Sequence, residues 1–321
     1  MRCAVLGDPI AHSLSPVLHR AAYAACGLTA WSYDAVRVPA GTLASHLARL
    51  SPDPARGLGS AWPPGEWRGL SLTMPLKREA MPLLASISPR GRLVGAVNTL
   101  VRTSYGWAGD NTDLPGAVAA VRERSQTPVA RGAILGAGAT AASTGLALVE
   151  LGAREVVLLA RDAARAAQTV AVVASHPSGP AVRVEPLEAR PDVDVLVSTV
   201  PVVAQTPELV ARWRDIPVLF DVVYAPWPTP LVAASATTPT VVVSGLDLLV
   251  HQAALQFELF TGRDAPLPAM RAAGAGALGL PLAPDDAGSD TGSDTGSDTG
   301  SDAGSDDAGT GSAAAEGDTP A

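Results

Sequence analysis

The chain carries 23 basic residues, and all but one are arginine. The exception is Lys77. A guanidinium keeps its proton near neutral pH, whereas an ammonium in a tuned environment can give one up. Lys77 is therefore a candidate for proton transfer. Four polar clusters accompany it. HSLSP contains Ser13 and Ser15, and SLTMPLK contains Ser71, Thr73 and Lys77 itself. AVNTL contains Asn98, and GDNTD contains Asp110, Asn111 and Asp113. Each lies where a predicted strand ends or a helix begins, the places where ligands collect in α/β folds. Together they offer hydroxyls, an amide, an ammonium and a carboxylate, a set suited to a polyhydroxylated acid. Each also has a plain structural use. Ser13 or Ser15 can cap a helix, Asn98 can hold a turn, Asp113 can cap the helix after it, and Thr73 can be an ordinary strand residue. Gln252 interrupts an apolar helical face, and an amide there needs partners from backbone or ligand. His12, His19 and His251 read as packing or surface residues, because no second ligand recurs at metal spacing.

A second chemistry is written in LGAGATAAS, residues 135–143, between a predicted strand and a predicted helix. N–H groups at the start of a helix, with its dipole, attract a pyrophosphate. Gly136 permits the tight turn, Gly138 lets phosphates approach the backbone, and Ala141 takes the third glycine's place where helix meets strand. A ligand-free βα turn is the plain alternative. The next strand ends at Ala160–Arg161. Arg161, with Arg165 one helical turn on, could hold a ribose 2′-phosphate through charge-assisted bonds, which favours NADP. Asp162 is either a displaced acid for a ribose 2′-OH or the N-cap of the following helix.

These residues need a scaffold of alternating strands and helices, and the apolar pattern supplies one. Residues 2–6, 31–38, 69–74 and 95–103 read as strands. A helix with Ser15 as N-cap and Pro16 at its first position runs to Gly27, another covers 41–50, and a third carries Lys77. From Leu114 onward, a helix at 115–124 leads to strand, glycine turn and helix over 132–153. Strands follow at 155–161, 193–201, 217–224 and 240–245, with a helix at 163–174. Their apolar continuity predicts largely parallel, buried sheets. A final helix at 246–261 places Leu248, Gln252, Leu255 and Leu259 on one face.

The net charge of −8 belongs to one end of the chain. Nine aspartates and Glu316 lie in residues 283–321, which hold no lysine or arginine. Without them, 21 acidic side chains face 23 basic ones. A basic nucleic-acid surface is not indicated. From Gly288 the unit GSDT repeats without aromatic or aliphatic anchors, so this segment is expected to be disordered. No apolar run reaches the ~18–20 residues of a membrane span. The opening MRCAVLGDPI reads as a strand and a turn rather than an export signal, so a cytoplasmic protein is expected. Cys3 and Cys26 are too few for a disulfide framework and read as small core residues.

Taken in order, the stretches GDPIAHSLSPVLHRAAY, GLSLTMPLK, GAVNTL, GDNTD, LGAGATAAS, LLARDAARA, DVVYAPWPTPL and GLDLLVHQAALQF resemble the shikimate dehydrogenase family. The resemblance implies an α/β enzyme of two domains. Residues 1–113 would form an α/β substrate-binding domain, and 114–245 a Rossmann domain with a doubly wound parallel sheet for NADPH. Residues 246–282 would be a helical segment packing back on the first domain, and 283–321 the disordered tail. The implied reaction is reversible NADPH-dependent reduction of 3-dehydroshikimate to shikimate, by a monomer or homodimer. Ser13 and Ser15 match the pair that holds the substrate carboxylate. Thr73, Asn98 and Gln252 match hydroxyl-binding positions, joined by Ser71 and Tyr224 at the substrate. Lys77 and Asp113 match the catalytic pair. Gly136, Ala137, Gly138, Ala139 and Thr140 fall on the phosphate loop, Arg161 and Arg165 on the 2′-phosphate clamp, and Gly245 among the cofactor positions.

The chain departs from the family pattern at four places. Ser71 stands where the family commonly has Asn, and its hydroxyl has a shorter reach. Ala139 replaces a second adjacent glycine of the phosphate loop. Ala160, Arg161 and Asp162 replace Asn-Arg-Thr, which removes one phosphate donor and adds a negative charge. Leu114 replaces the glycine after the NTD aspartate. Three rival readings follow: a quinate or quinate/shikimate dehydrogenase using NAD, an enzyme of an aminoshikimate route, and a regulatory paralogue that binds shikimate-like ligands without turnover.

Overall fold

The computed structural model describes residues 1–50 and 66–281. The acidic repeat expected to be disordered lies outside the described residues. In chain order the first elements are β1 (Arg2–Gly7), α1 (Ser15–Ala25), β2 (Ser32–Arg37), α2 (Leu43–Leu50), β3 (Trp67–Leu72), α3 (Leu76–Glu79), β4 (Ser86–Ile87), α4 (Pro89–Val94), β5 (Thr99–Thr103) and β6 (Gly106–Asp110). Then come α5 (Asp113–Arg124), β7 (Arg131–Leu135), α6 (Ala139–Glu150), β8 (Glu155–Leu159), α7 (Ala163–Ala174), β9 (Ala181–Glu185) and β10 (Val195–Ser198). The chain continues through α8 (Pro207–Trp213), β11 (Val218–Asp221), α9 (Pro230–Ser235), β12 (Val241–Ser244), α10 (Gly245–Thr261) and α11 (Leu267–Leu278).

Among the described residues the strands form two sheets of six. The second, ordered β12-β11-β10-β7-β8-β9, is wholly parallel, as its unbroken apolar runs require. Its order reverses between β7 and β10, and the glycine turn of β7–α6 opens at that switch point. The first sheet, ordered β2-β1-β3-β5-β6-β4, is parallel-rich but mixed, with three parallel pairings and two antiparallel ones. Strand β1 pairs in parallel with β2 and β3, but β5 and β6 form a hairpin, and β5 runs antiparallel to β3. The short turn at Thr103–Gly106 returns the chain at once, and such a turn can only join antiparallel strands.

Several boundaries differ from the sequence reading for local reasons. The third strand stops at Leu72, because Thr73 turns out of the sheet: its N–H reaches the Leu6 carbonyl and its own carbonyl accepts from Leu76. The fourth begins at Thr99, not Gly95. Gly95 takes a left-handed conformation (φ 66°) that ends α4, and the following turn carries Asn98. Helix α10 buries Val250, Ala253, Ala254, Phe257 and Phe260 against α1, α11 and the first sheet, in one core with Cys3, Val5, Leu18 and Met270. Leu259, expected on the buried face, is 38% exposed, and Leu255 is half-buried, because the core lies on the opposite side. Leu248 and Gln252 lie on the same face as Leu255 and Leu259 but nearer the start of the helix, where α5 and the site described next cover it. Cys3 is buried and Cys26 partly so, both as free thiols.

Candidate active site

Lys77 lies on α3, just past the Thr73 turn, and donates from Nζ to Oδ2 of Asp113 at 2.6 Å. Asp113 is the first residue of α5 but does not cap it. Asn111 does that work, its Oδ1 accepting from the Leu114 N–H at 3.1 Å, which leaves the Asp113 carboxylate for Lys77. Oδ1 of Asp113 accepts from Nδ2 of Asn98 at 2.8 Å. The orientation of that amide is fixed from its other end, where Oδ1 accepts from the Thr112 backbone N–H at 2.8 Å. Since a backbone N–H can only donate, the oxygen must face Thr112 and the NH2 must face Asp113. Asp110, in the same motif, is structural. Burial raises its pKa, but hydrogen bonds from Arg90 and Ser88 outweigh that and hold it below the usual carboxylate range.

These groups open into a cavity of about 180 Å³. Ser13, Ser15, Ser71, Thr73, Lys77, Asn98, Asp113, Tyr224 and Gln252 all line it, so the structure brings together every residue the sequence nominated for substrate and catalysis. Apolar side chains of Val5, Val222, Leu248 and Leu249 complete the wall. Ser15 is not the N-cap of α1. It is the first helical residue, Pro16 is the second, and Leu14 takes the cap position without a side-chain bond. Ser13 accepts from the Ser15 N–H only at 3.4 Å. Neither hydroxyl caps α1; both residues line the cavity, and the Ser15 side chain also hydrogen-bonds Tyr33. Gln252 donates to the Leu249 carbonyl at 3.0 Å, and its Oε1 lies 3.4 Å from Asn98 Nδ2. Burial pushes the Tyr224 pKa upward, so at neutral pH it offers a hydroxyl rather than a phenolate. Gln256, missed in the sequence, also lines the cavity. It stands four residues after Gln252 on the same helix, a spacing that could have revealed it.

A longer cleft adjoins this cavity. One stretch, of about 400 Å³, is lined by Thr73, Lys77, Arg78, the turn Gly136–Thr140 and Thr199–Pro201. The next, of about 430 Å³, is lined by Gly136, Ala137, Ala160, Arg161, Asp162, Arg165 and Val200. The first cavity and the middle stretch share Thr73, Lys77 and Thr140. The middle and far stretches share Gly136, Ala137 and Val200. Gly136 has φ 105°, and a Cβ there would fall 2.4 Å from Thr199 Oγ1, so only glycine serves. Gly138 faces open space, leaving the start of α6 accessible to an anion. Asp162 is the N-cap of α7, its Oδ1 accepting from the N–H groups of Ala164 (2.9 Å) and Arg165 (3.3 Å). Its other oxygen lies 3.5 Å from Arg165 Nε. Arg161 makes no ion pair among the described residues and lines the far end of the cleft. The donor set there suits a dinucleotide with a 2′-phosphate: helix-initial N–H groups at the middle, a free guanidinium at the end, and an aspartate already occupied by a helix. Gly245 lies instead beside Tyr224 in the substrate-sized cavity, where a Cβ would fall 2.3 Å from the Val222 carbonyl oxygen. Among the described residues, no helix is long and apolar enough to cross a membrane.

Comparison with known proteins agrees with this geometry. Residues 5–100 match the model of the shikimate dehydrogenase substrate binding domain, and residues 245–273 match that of the shikimate 5′-dehydrogenase C-terminal domain. A shikimate dehydrogenase (NADP(+)) from Anaeromyxobacter sp. is 37% identical over 278 residues, covering 84% of this chain and 94% of the relative. The crystal structure of Mycobacterium tuberculosis shikimate dehydrogenase superposes with a TM-score of 0.75 at 39% identity, covering 86% of this chain and 99% of that one. Shikimate 5-dehydrogenase from Thermus thermophilus, solved in complex with NADP(H) and shikimate, superposes with a TM-score of 0.73 at 30% identity, covering 87% of this chain and 100% of that one. The chain with Lys77 and Asp113 at the seam of two cavities belongs to the shikimate dehydrogenase family.

Proposed function

We infer that the protein is an NADP-dependent shikimate dehydrogenase that interconverts 3-dehydroshikimate and shikimate in the biosynthesis of chorismate and aromatic amino acids. One observation carries the reading. The single lysine, held by Asp113 at 2.6 Å, stands where a cavity sized for a small polyhydroxylated acid meets the cleft of the glycine turn. Residues 1–113 bind the substrate, 114–245 bind the cofactor, and 246–282 support the substrate side. NADPH supplies the hydride that reduces the ketone carbon. Lys77, protonated, stabilises the negative charge that develops on the ketone oxygen and delivers the proton; in the reverse direction it accepts the proton from the hydroxyl. Asp113 holds the ammonium on line, and Asn98 holds Asp113. Ser13 and Ser15 receive the substrate carboxylate, while Ser71, Thr73, Asn98, Tyr224 and Gln252 read its hydroxyls. The loop Gly136–Thr140 takes the pyrophosphate, and Arg161 and Arg165 take the 2′-phosphate. Gly245 lets α10 start tightly against Val222, where the substrate cavity approaches the cofactor cleft. The enzyme works in the cytoplasm, as a monomer or homodimer.

The NAD-dependent quinate reading needs an acid free to bind a ribose, and Asp162 is committed to capping α7. The regulatory reading needs a broken catalytic pair, and the pair is intact. The test is absorbance at 340 nm with shikimate or quinate, each with NADP or NAD. Fast NADPH formation from shikimate is expected, with Lys77→Ala slowing turnover by about 100-fold or more in protein of unchanged melting temperature. Preferred turnover of quinate with NAD, or near-normal turnover in Lys77→Ala, would refute the assignment.

A further inference from the structure

Beneath the substrate cavity lies a buried chain of hydrogen bonds that links β2, β3, β5 and α10. The Tyr33 hydroxyl lies 2.6 Å from Ser71 Oγ, and Ser71 Oγ lies 2.7 Å from Gln256 Oε1. Gln256 Nε2 lies 3.1 Å from both the Asn98 backbone carbonyl and Thr99 Oγ1. Tyr33 comes from β2, Ser71 from β3, Thr99 from β5 and Gln256 from α10. Ser71 and Thr99 are cross-strand partners, and Gln256 spans them from above. All four side chains are buried.

The polarity of this chain follows from one atom. A backbone carbonyl can only accept, so the Gln256 NH2 must face Asn98 and its oxygen must face Ser71. Ser71 must then donate its one proton to Gln256. With that proton committed, Tyr33 must donate to Ser71. A serine oxygen has two acceptor positions, and Tyr33 fills one. What remains for the cavity, which Ser71 lines, is a single lone pair.

We propose that Gln256 and Tyr33 are positioning residues for substrate binding. They lock the Ser71 hydroxyl as an acceptor, so that the cavity selects a substrate hydroxyl donating at that point. This rests on the reading that Ser71 meets the substrate. It also explains how a serine serves where relatives commonly carry a longer amide. The serine is short, but it is held in place from two sides, with little rotational freedom left to lose on binding.

The test is steady-state kinetics with shikimate and NADP on the full chain. Gln256→Met should raise the KM for shikimate about tenfold, with kcat within about threefold and the KM for NADP unchanged. Tyr33→Phe, which keeps the ring, should raise it about two- to fivefold. In a Ser71→Ala background, Gln256→Met should add nothing, because its effect runs through Ser71. In Gln256→Glu, a protonated carboxyl can accept from Ser71 and donate to the Asn98 carbonyl, so its KM relative to the unsubstituted enzyme should improve as pH falls. Gln256→Met should show no such recovery. Unchanged KM in Gln256→Met, or independent effects that multiply with Ser71→Ala, would overturn the proposal. If Gln256→Met does not fold, Tyr33→Phe and Gln256→Glu decide the matter, and normal KM in the first with no pH-dependent recovery in the second overturns it. An unaltered KM in Ser71→Ala alone would instead strike the reading on which the proposal rests.

Discussion

Acid should loosen this protein through His19, a residue that touches no ligand. His19 is fully buried on α1, with its ring stacked on Tyr33 at 4.1 Å between centroids. Burial pushes its pKa from 6.5 down to about 3, against a smaller upward pull from the Gln256 amide. The folded protein therefore keeps His19 neutral at pH values where the unfolded chain takes up a proton. Between pH 6.5 and about 3 the unfolded state binds more protons, so stability falls as pH falls, and is fully present above pH 6.5. At ~1.4 kcal/mol per pH unit, the loss is about 2 kcal/mol by pH 5 and nears ~5 kcal/mol at the acid end of the window. Substituting His19→Leu removes the titration. The assay is urea unfolding of both proteins at pH 7.5 and pH 5.0. At pH 7.5 the substitution loses the stack on Tyr33 but also removes two buried ring nitrogens that have no hydrogen-bond partner among the described residues. Relative to the unsubstituted protein, the variant should gain about 2 kcal/mol between pH 7.5 and pH 5.0. His46, whose pKa is lowered by burial and by Arg49, titrates alike in both proteins and cancels. An equal stability gap at the two pH values would refute the reasoning, because it would mean that His19 takes its proton as readily folded as unfolded.

Two further substitutions probe the cofactor end and the helix contact behind the site. Arg161→Ser should lower kcat/KM for NADP by about 10- to 100-fold while leaving the value for NAD within about twofold, since only a 2′-phosphate engages a guanidinium there; equal losses with both cofactors would remove Arg161 from the clamp. Gly116→Ala should cost about 1–3 kcal/mol in urea unfolding and raise the KM for shikimate, because the new Cβ would fall 2.9 Å from the Gln252 backbone nitrogen and push α10 away from α5; unchanged stability would show that the two helices part without cost.

The candidate catalytic residues are legible in the sequence because the signals that mark them are local. Lys77 stands out by residue type alone, and Ser13, Ser15, Thr73, Asn98 and Asp113 each sit at an element boundary that glycine, proline or an apolar run marks. At those boundaries capping competes with ligand binding, and the neighbouring residues decide which wins. Leu14 takes the cap position that Ser15 was expected to fill, and Asn111 caps α5 in place of Asp113. At Asp162 the same competition went the other way, and the carboxylate caps its helix. The floor of the cavity was not legible, because Tyr33 meets Ser71 only through the order β2-β1-β3, and Ser71 meets Thr99 only through an antiparallel pairing not expected in a parallel sheet. Tyr33 carries no local signal, since a tyrosine in a predicted strand is ordinary. The mixed first sheet thus matters beyond topology. The antiparallel register sets Ser71 beside Thr99, where one amide from α10 can bind both and also reach the Asn98 carbonyl. A sheet in which β3 and β5 ran parallel would lose the register that makes the Ser71 proton a fixed quantity.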